Sequence, residues 1–279
     1  MQNQTIKTWF ITGASKGFGL IIVKKLLANG QNIAATSRNA KKLAEVVGSN
    51  ASNFLPLEVT LGNDTSVKAA IDKTAATFGS IDVLINNAGY GLGGSLEEVT
   101  DAEIRNVFEI NVFGTVNTIR HTLPYMRKQK GGHIINISSI AGFAPGIGWA
   151  PYNSTKFAVT GLTGVLAQDV KSLGIKVTTV SPGAFRTEFL TEDSIALPKT
   201  PIDAYSNIRE THNRFKAYNG KQAGNPDKGA DIIINLGFNP NPPVNLFLGT
   251  DAYNRAADQI EALSKELEEN KDISFSTDY

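Results

Sequence analysis

Short apolar, β-prone runs alternate with longer segments of helical periodicity through most of the 279-residue chain. That alternation is the signature of βαβ units laid on a parallel sheet. Seven strands are expected, at residues 8–12, 32–37, 53–57, 82–86, 133–138, 176–181 and 245–248. Most are apolar at every position rather than at alternate ones, so both faces of the sheet should be buried under helices. Helical patterns fill the intervals, at residues 17–28, 40–47, 65–78, 101–127, 152–172 and 227–237. The fold class that follows is α/β, a doubly wound parallel sheet of about seven strands with helices on both faces.

No stretch reads as a linker, so residues 1–279 are taken as a single domain. Two segments depart from the alternation. Residues 184–225 mix Phe185, Phe189, Leu190, Leu197, Tyr205 and Phe215 with polar residues, and an insertion of this length is expected to serve as a substrate lid or binding loop. Residues 251–269 space Ala256, Ile260, Leu263 and Leu267 by three and four, which predicts a surface helix docked on the core. A net charge of +1 argues against a broad footprint for nucleic acid or an anionic membrane. Absence of cysteine removes disulfides and thiolate chemistry. No run approaches the roughly 18 apolar residues of a membrane span, and the expectation is a cytoplasmic protein.

Directly after the first strand comes Thr12-Gly13-Ala14-Ser15-Lys16-Gly17-Phe18-Gly19, followed at once by the amphipathic run Leu20, Ile21, Val23, Leu26, Leu27. Strand, glycine turn and helix in that order form a Rossmann dinucleotide cradle. Gly13 suits the tight turn, Gly17 lets backbone approach a pyrophosphate, Gly19 permits close helix packing, and the helix N-terminus favours the phosphates. The second strand ends in Ala35-Thr36-Ser37-Arg38, about where a carboxylate would bind the adenosine ribose of NAD. No carboxylate is there. Arg38, with Ser37 and Lys16 as further donors, suits a 2′-phosphate, which favours NADP(H).

Further along, Ser139 follows a strand, and Tyr152 and Lys156 share one helix face at i and i+4. A phenol with an ordinary pKa of about 10 is a poor base at neutral pH. A nearby ammonium, and the positive ring of an oxidised nicotinamide, would favour the phenolate. Ser139 can hold a substrate oxygen within reach of Tyr152. The three histidines, His121, His133 and His212, are too scattered to suggest a zinc site, and no metal is expected. Phe143, Trp149, Phe185 and Phe189 are candidates for an apolar substrate wall, with core packing as the competing explanation.

Taken together these motifs resemble the short-chain dehydrogenase/reductase family. Its glycine motif is matched by Thr12 to Gly19, its Asn-Asn-Ala-Gly by Asn86 to Gly89, its helix asparagine by Asn111, its active-site pattern by Ser139 and Tyr152-x-x-x-Lys156, and its nicotinamide segment by Pro182-Gly183 with Thr187. The resemblance runs from about residue 8 to 250. It implies an NADP-preferring oxidoreductase moving a hydride between the nicotinamide and a ketone, aldehyde or secondary alcohol, loosely a lipophilic or hydroxysteroid-like one. Asn111, Ser139, Tyr152 and Lys156 would be catalytic. Cofactor contacts would come from Gly13, Ser15, Lys16, Gly17, Phe18, Gly19, Ser37, Arg38, Glu58, Val59, Asn87, Ala88, Gly89, Tyr152, Lys156, Pro182, Gly183, Phe185 and Thr187. Glu58 stands where the family usually has an aspartate beside the adenine. Assembly as a homodimer or homotetramer is expected, built on the helices at 101–127 and 152–172. Two other readings stand beside this one: a non-catalytic NADP(H)-binding redox sensor, and a nucleotide-sugar epimerase or dehydratase.

Overall fold

The computed structural model describes residues 5–279. Among the described residues nine strands occur in chain order: β1 (Thr8–Ile11), β2 (Asn32–Ser37), β3 (Phe54–Glu58), β4 (Val83–Asn86), β5 (Gly91–Leu92), β6 (Gly132–Ile137), β7 (Ile175–Pro182), β8 (Ile195–Ala196) and β9 (Asn245–Leu248). Seven form one all-parallel sheet in the order β3-β2-β1-β4-β6-β7-β9. Register is continuous across the centre, with Phe10 level with Ala34 on one side and with Leu84 on the other.

The α-helices of the described residues are α1 (Gly17–Ala28), α2 (Ala40–Val47), α3 (Asp64–Phe78), α4 (Asp101–Phe108), α5 (Gly114–Gln129), α6 (Ala150–Asp169), α7 (Ser206–Tyr218), α8 (Pro226–Phe238), α9 (Thr250–Glu269) and α10 (Lys271–Phe275). Side chains alternate across the pleat. Trp9, Ile11, Ile33, Ala35, Val83 and Ile85 enter a core shared with α1, α2 and α8, while Phe10, Ala34 and Leu84 enter a second core under α3, α5 and α6. Both faces are apolar for that reason. Helix starts are set locally: the Asn39, Asn63 and Asn225 side chains accept backbone N–H groups at the starts of α2, α3 and α8, and Thr100 with Glu103 forms a capping box on α4.

The chain runs outward from β1 through β2 to β3, then returns to place β4 on the other side of β1. Crossovers on either side of that switch leave a crevice at the carboxyl ends of β1 and β4, where ligands of such sheets bind.

Three expectations need correction. The helix expected to run unbroken over 101–127 is interrupted by a π turn, Glu109–Phe113, between α4 and α5. Residues 184–225 are not irregular throughout, because they contain β8, paired in parallel with β5, and the three-turn helix α7. The C-terminal helix does not dock along its length: Ala252 and Ala256 are buried, and every residue from 257 onward is exposed or nearly so. Among the described residues no helix is long and apolar enough to cross a membrane.

Candidate active site

The glycine turn between β1 and α1 sits at the switch point. Gly13 has φ +65°, and a Cβ there would lie 2.7 Å from the Ala88 Cα, so no larger residue fits where the turn passes the end of β4. A Cβ on Gly19 would lie 2.5 Å from the Gly13 carbonyl oxygen. Gly17, at φ +56°, differs: a Cβ there would make only ordinary contacts, at 3.8 Å from Thr187 and 3.9 Å from Glu188, so its backbone conformation rather than crowding calls for glycine. Thr12 and Asn87 fix the turn. The Asn87 and Ala88 N–H groups both donate to the Thr12 hydroxyl at 3.0 Å, and the Asn87 amide donates to the carbonyls of Thr12 and Gly13 at 3.0 Å. Asn87 therefore shapes the cradle with its side chain.

Whether these residues fit a dinucleotide can be judged at the start of α1. That helix has no side-chain cap and no acidic residue in its first turn, so its N–H groups are left for an external acceptor. One acceptor is present. The Gly17 N–H donates to Glu188 Oε2 at 3.1 Å, which shows that a negatively charged oxygen is received at the point a pyrophosphate would use. Lys16 beside it donates to the Asp193 carbonyl at 3.4 Å. Ser15 and Phe18 complete the turn, and Phe18 packs on Phe185 with ring centroids 5.0 Å apart.

At the end of β2 the Ser37 hydroxyl donates to the Asn39 carbonyl at 2.7 Å, while Arg38 is exposed. Glu58 ends β3 exposed, and Val59 is buried beside it, its N–H donating to the Ser37 carbonyl at 2.9 Å. Arg38 and Glu58 thus stand on neighbouring strand ends, near where an adenosine would lie.

Tyr152 and Lys156 lie on the inner face of the first and second turns of α6, and burial reaches both side chains. The Lys156 ammonium lies 5.8 Å from the Tyr152 ring centroid and donates to the Ile137 carbonyl at 3.0 Å. Ser139, just past β6, stands close enough to Tyr152 to influence its phenol and accepts the Ala141 N–H at 3.1 Å. Burial pushes the Tyr152 phenol up to about 12 against a smaller pull downward from Ser139, and burial likewise pushes Lys156 down to about 8. Burial, not the lysine, therefore sets the direction of the phenol's shift.

Asn111 lies in the π turn. Its side-chain oxygen accepts the Tyr90 N–H at 3.1 Å, and its amide donates to the Tyr90 carbonyl and the Thr155 hydroxyl at 3.0 Å each. A Cβ on Gly89 would sit 3.1 Å from Asn111 Oδ1 and 3.5 Å from Lys156 Nζ, so Gly89, Asn111 and Lys156 converge. Pro182 closes β7, and Gly183 is packed against the Asp251 carboxylate, which would have to move to admit a Cβ there. Asp251 also accepts the Ala184 N–H at 2.7 Å, bracing this segment from the first turn of α9. Thr187 caps the 3-10 turn Glu188–Leu190 through the Phe189 N–H.

The four aromatics separate into two groups. Trp149 and Phe189 flank Tyr152, with ring centroids at 6.4 and 5.8 Å. Phe143 instead packs edge-on against Phe247 in a cluster with Ile140, Ala252 and Ala256, and Phe185 is buried in the core between α1 and α8. Core packing accounts for those two, correcting the four-residue wall. His212 of α7 packs on the far side of this group, its ring 4.8 Å from Trp149 and its Nε2 donating to the Gly148 carbonyl at 2.9 Å. Burial holds its pKa below the ordinary imidazole value.

Sequence reasoning missed Glu188, Glu98 and Asp251. The Glu98 carboxylate is buried and accepts the N–H groups of Ser95 and Ile202 at 3.0 and 2.9 Å, with Arg209 at 3.3 Å. Its pKa is held below the ordinary carboxylate value, chiefly by the Ile202 N–H. Each of the three acts on a partner more than 60 residues away, a distance at which single-sequence periodicity carries no signal.

A model of the short chain dehydrogenase family matches residues 7–196. The chain belongs to that family. Relatives include an oxidoreductase of Botryotinia fuckeliana, 33% identical over 272 residues and covering 97% of this chain and 99% of the relative. A 3-ketodihydrosphingosine reductase of Bacteroides thetaiotaomicron is 37% identical over 250 residues, 89% of each chain. Among solved structures, a short-chain dehydrogenase from Streptomyces avermitilis superposes with a TM-score of 0.91 at 32% identity, over 99% of this chain and 100% of that one. Two more distant short-chain dehydrogenase folds hold nicotinamide coenzymes: a 3-ketoacyl-(acyl-carrier-protein) reductase of Brucella melitensis with NADH, at 25% identity and TM-score 0.72 over 86% of this chain and 96% of that one, and ElxO with NADP, at 29% and 0.71 over 88% and 97%. This short-chain dehydrogenase is accordingly an oxidoreductase.

Proposed function

We propose that this short-chain dehydrogenase is an NADP(H)-dependent carbonyl reductase or alcohol dehydrogenase acting on a ketone, aldehyde or secondary alcohol with an apolar body. One observation carries the reading: a phenol and an ammonium are buried together at the start of α6, with a serine hydroxyl and an anion-receiving glycine turn beside them. The coenzyme supplies the hydride. Its pyrophosphate would be held by the Gly13–Gly19 turn, its ribose by Lys156 and Tyr152, its carboxamide end by the Pro182–Thr187 segment, and its 2′-phosphate by Arg38 with Ser37 and Lys16.

In the reductive direction Tyr152 gives its proton to the substrate oxygen, and Ser139 donates a hydrogen bond that fixes that oxygen beside it. Lys156 is the proton reservoir behind Tyr152, with Asn111 holding the surrounding backbone in position. A phenol pushed up by burial suits this direction, since the neutral form is the one that donates. The apolar substrate class is supported by Trp149, Phe189 and the aliphatic side chains Ile195 and Leu197, which stand around Gly91 and Gly93 next to Tyr152. Residues 184–225 are the lid. It is one part of a single catalytic domain, and it must lift Phe189 from Tyr152 for substrate to enter.

The coenzyme assignment is tested by titrating the protein with NADPH and NADH while following nucleotide fluorescence. NADPH should bind more tightly by about ten- to a hundredfold, the worth of a charge-assisted phosphate contact, and Arg38→Asp should reverse the order. Tighter binding of NADH to the unmodified protein would overturn the reading of Arg38. Full nucleotide binding with no turnover across a panel of carbonyls would favour the redox sensor instead.

A further inference from the structure

Gln222 lies between α7 and α8 and is 1% exposed. Its side-chain nitrogen and oxygen are both buried, and neither has a hydrogen-bond partner. Among the described residues it is the only side chain with two such atoms, the others being single atoms of Thr122, Trp149, Asn153 and Thr179. A buried amide without partners carries a free-energy cost that folded chains normally avoid. That cost is relieved when a group able both to donate and to accept comes to meet it.

The backbone around Gln222 places that meeting. Gly224 forms a parallel bridge with Phe185, its N–H donating to the Ala184 carbonyl and its carbonyl accepting the Arg186 N–H, both at 3.0 Å. The Gln222 carbonyl accepts from the Arg186 guanidinium, Nε at 3.3 Å and Nη2 at 3.1 Å. A Cβ on Gly224 would lie 2.7 Å from the Ala184 carbonyl oxygen and 2.8 Å from the Phe185 ring, so the two segments touch with no side chain between them. Residues 184–186 belong to the Pro182–Thr187 segment read above as the seat of the carboxamide end of the coenzyme. On its other side Gln222 is tied to α7, through the Lys221 N–H donating to the Tyr218 carbonyl at 2.9 Å.

Chemistry selects the group that Gln222 meets. Its side chain offers one acceptor oxygen and an NH2 donor, so a ketone or aldehyde, which only accepts, would leave the oxygen unpaired. The nicotinamide carboxamide carries a C=O and an NH2 side by side, and two primary amides pair reciprocally through two N–H···O=C bonds. We propose that Gln222 is a coenzyme-binding residue, its carboxamide paired with that of the nicotinamide. The inference rests on the coenzyme reading above. Since Gln222 stands near the far end of residues 184–225, the same pairing ties the lid to bound coenzyme.

Calorimetric titration of wild type and Gln222→Met tests this. The substitution keeps the length of the side chain and removes both polar atoms, so the free variant should melt at or above the wild-type temperature. NADPH should bind the variant about tenfold more weakly, the worth of two hydrogen bonds. The 3-acetylpyridine analogue of NADPH has a methyl ketone with no N–H to give, and its affinity should fall only about threefold. The 2′-phosphorylated form of ADP-ribose, which lacks the nicotinamide, should bind both proteins equally. Equal NADPH affinity in the two proteins, an equal loss for NADPH and its analogue, a loss for the phosphorylated ADP-ribose, or a variant that melts below wild type would overturn the role of Gln222 and leave the coenzyme reading in place. A wild-type protein that binds neither NADPH nor NADH would remove that reading, and the role of Gln222 with it.

Discussion

Tyr152 and Lys156 are displaced in opposite directions by the same cause. Burial takes water from the phenolate and from the ammonium alike, raising one pKa to about 12 and lowering the other to about 8. At neutral pH the phenol therefore keeps its proton while Lys156 is still mostly ammonium, so the pair is set to deliver a proton to a substrate oxygen rather than to rest as an ion pair. Glu188 is the second residue whose chemistry matters. Its carboxylate stands at the Gly17 N–H, and an incoming pyrophosphate has to displace it against both a hydrogen bond and like-charge repulsion. Glu188→Gln should therefore tighten NADPH binding by about 0.5–1 kcal/mol, two- to fivefold in Kd, the usual worth of a charge at a helix start. Calorimetric titration checks this, and unchanged or weaker binding would remove Glu188 from the coenzyme site.

At the scale of elements, what could be read in advance depended on how local the determining contacts are. Strands β1, β4 and β6 were legible because their apolar residues face both sides of the sheet, and α1 because its glycine turn and amphipathic run lie within twenty residues. The π turn at Glu109–Phe113 was not, since its extra residue per turn leaves hydrophobic spacing almost unchanged while re-aiming Asn111 toward Tyr90 and Thr155. Helix α7 was read as loop because Ile208 and His212 are its only buried residues. The side chains Ser139, Tyr152, Lys156 and Asn111 were all legible by motif, whereas the aromatic wall was half wrong, because Phe143 and Phe185 differ from Trp149 and Phe189 only in tertiary surroundings. Glu98 ties the segment bearing Ile202 and α7 to the body. Glu98→Gln keeps size but weakens those charge-assisted bonds, so limited proteolysis within residues 184–225 should quicken severalfold while the sheet remains intact. An unchanged cleavage rate would mean that the aromatic contacts of α7 hold the segment alone.

Across the whole molecule, one sheet separates two cores, with the candidate site at its carboxyl edge and a buried histidine at the other. His133 begins β6, donates through Nδ1 to the Leu236 carbonyl at 3.2 Å, and is pushed down to about 4 by burial, with Lys176 and Lys7 adding to the shift. The folded value lies below the ordinary 6.5, so the stability that the neutral ring contributes is complete above about pH 6.5. It is lost as the pH falls from there toward 4, by about 3 kcal/mol. Urea unfolding at pH 7 and at pH 4.5 should show that loss in the wild type and a flatter profile in His133→Gln, and parallel profiles would contradict it.

The reaction itself hangs on the Tyr152 proton. The most direct test is single-turnover oxidation of bound NADPH by an apolar ketone, comparing wild type with Tyr152→Phe after confirming equal NADPH affinity. The account predicts a rate lower by about a hundredfold to ten-thousandfold, the range for loss of a positioned acid. A Tyr152→Phe protein that reduces the ketone at the wild-type rate would contradict it.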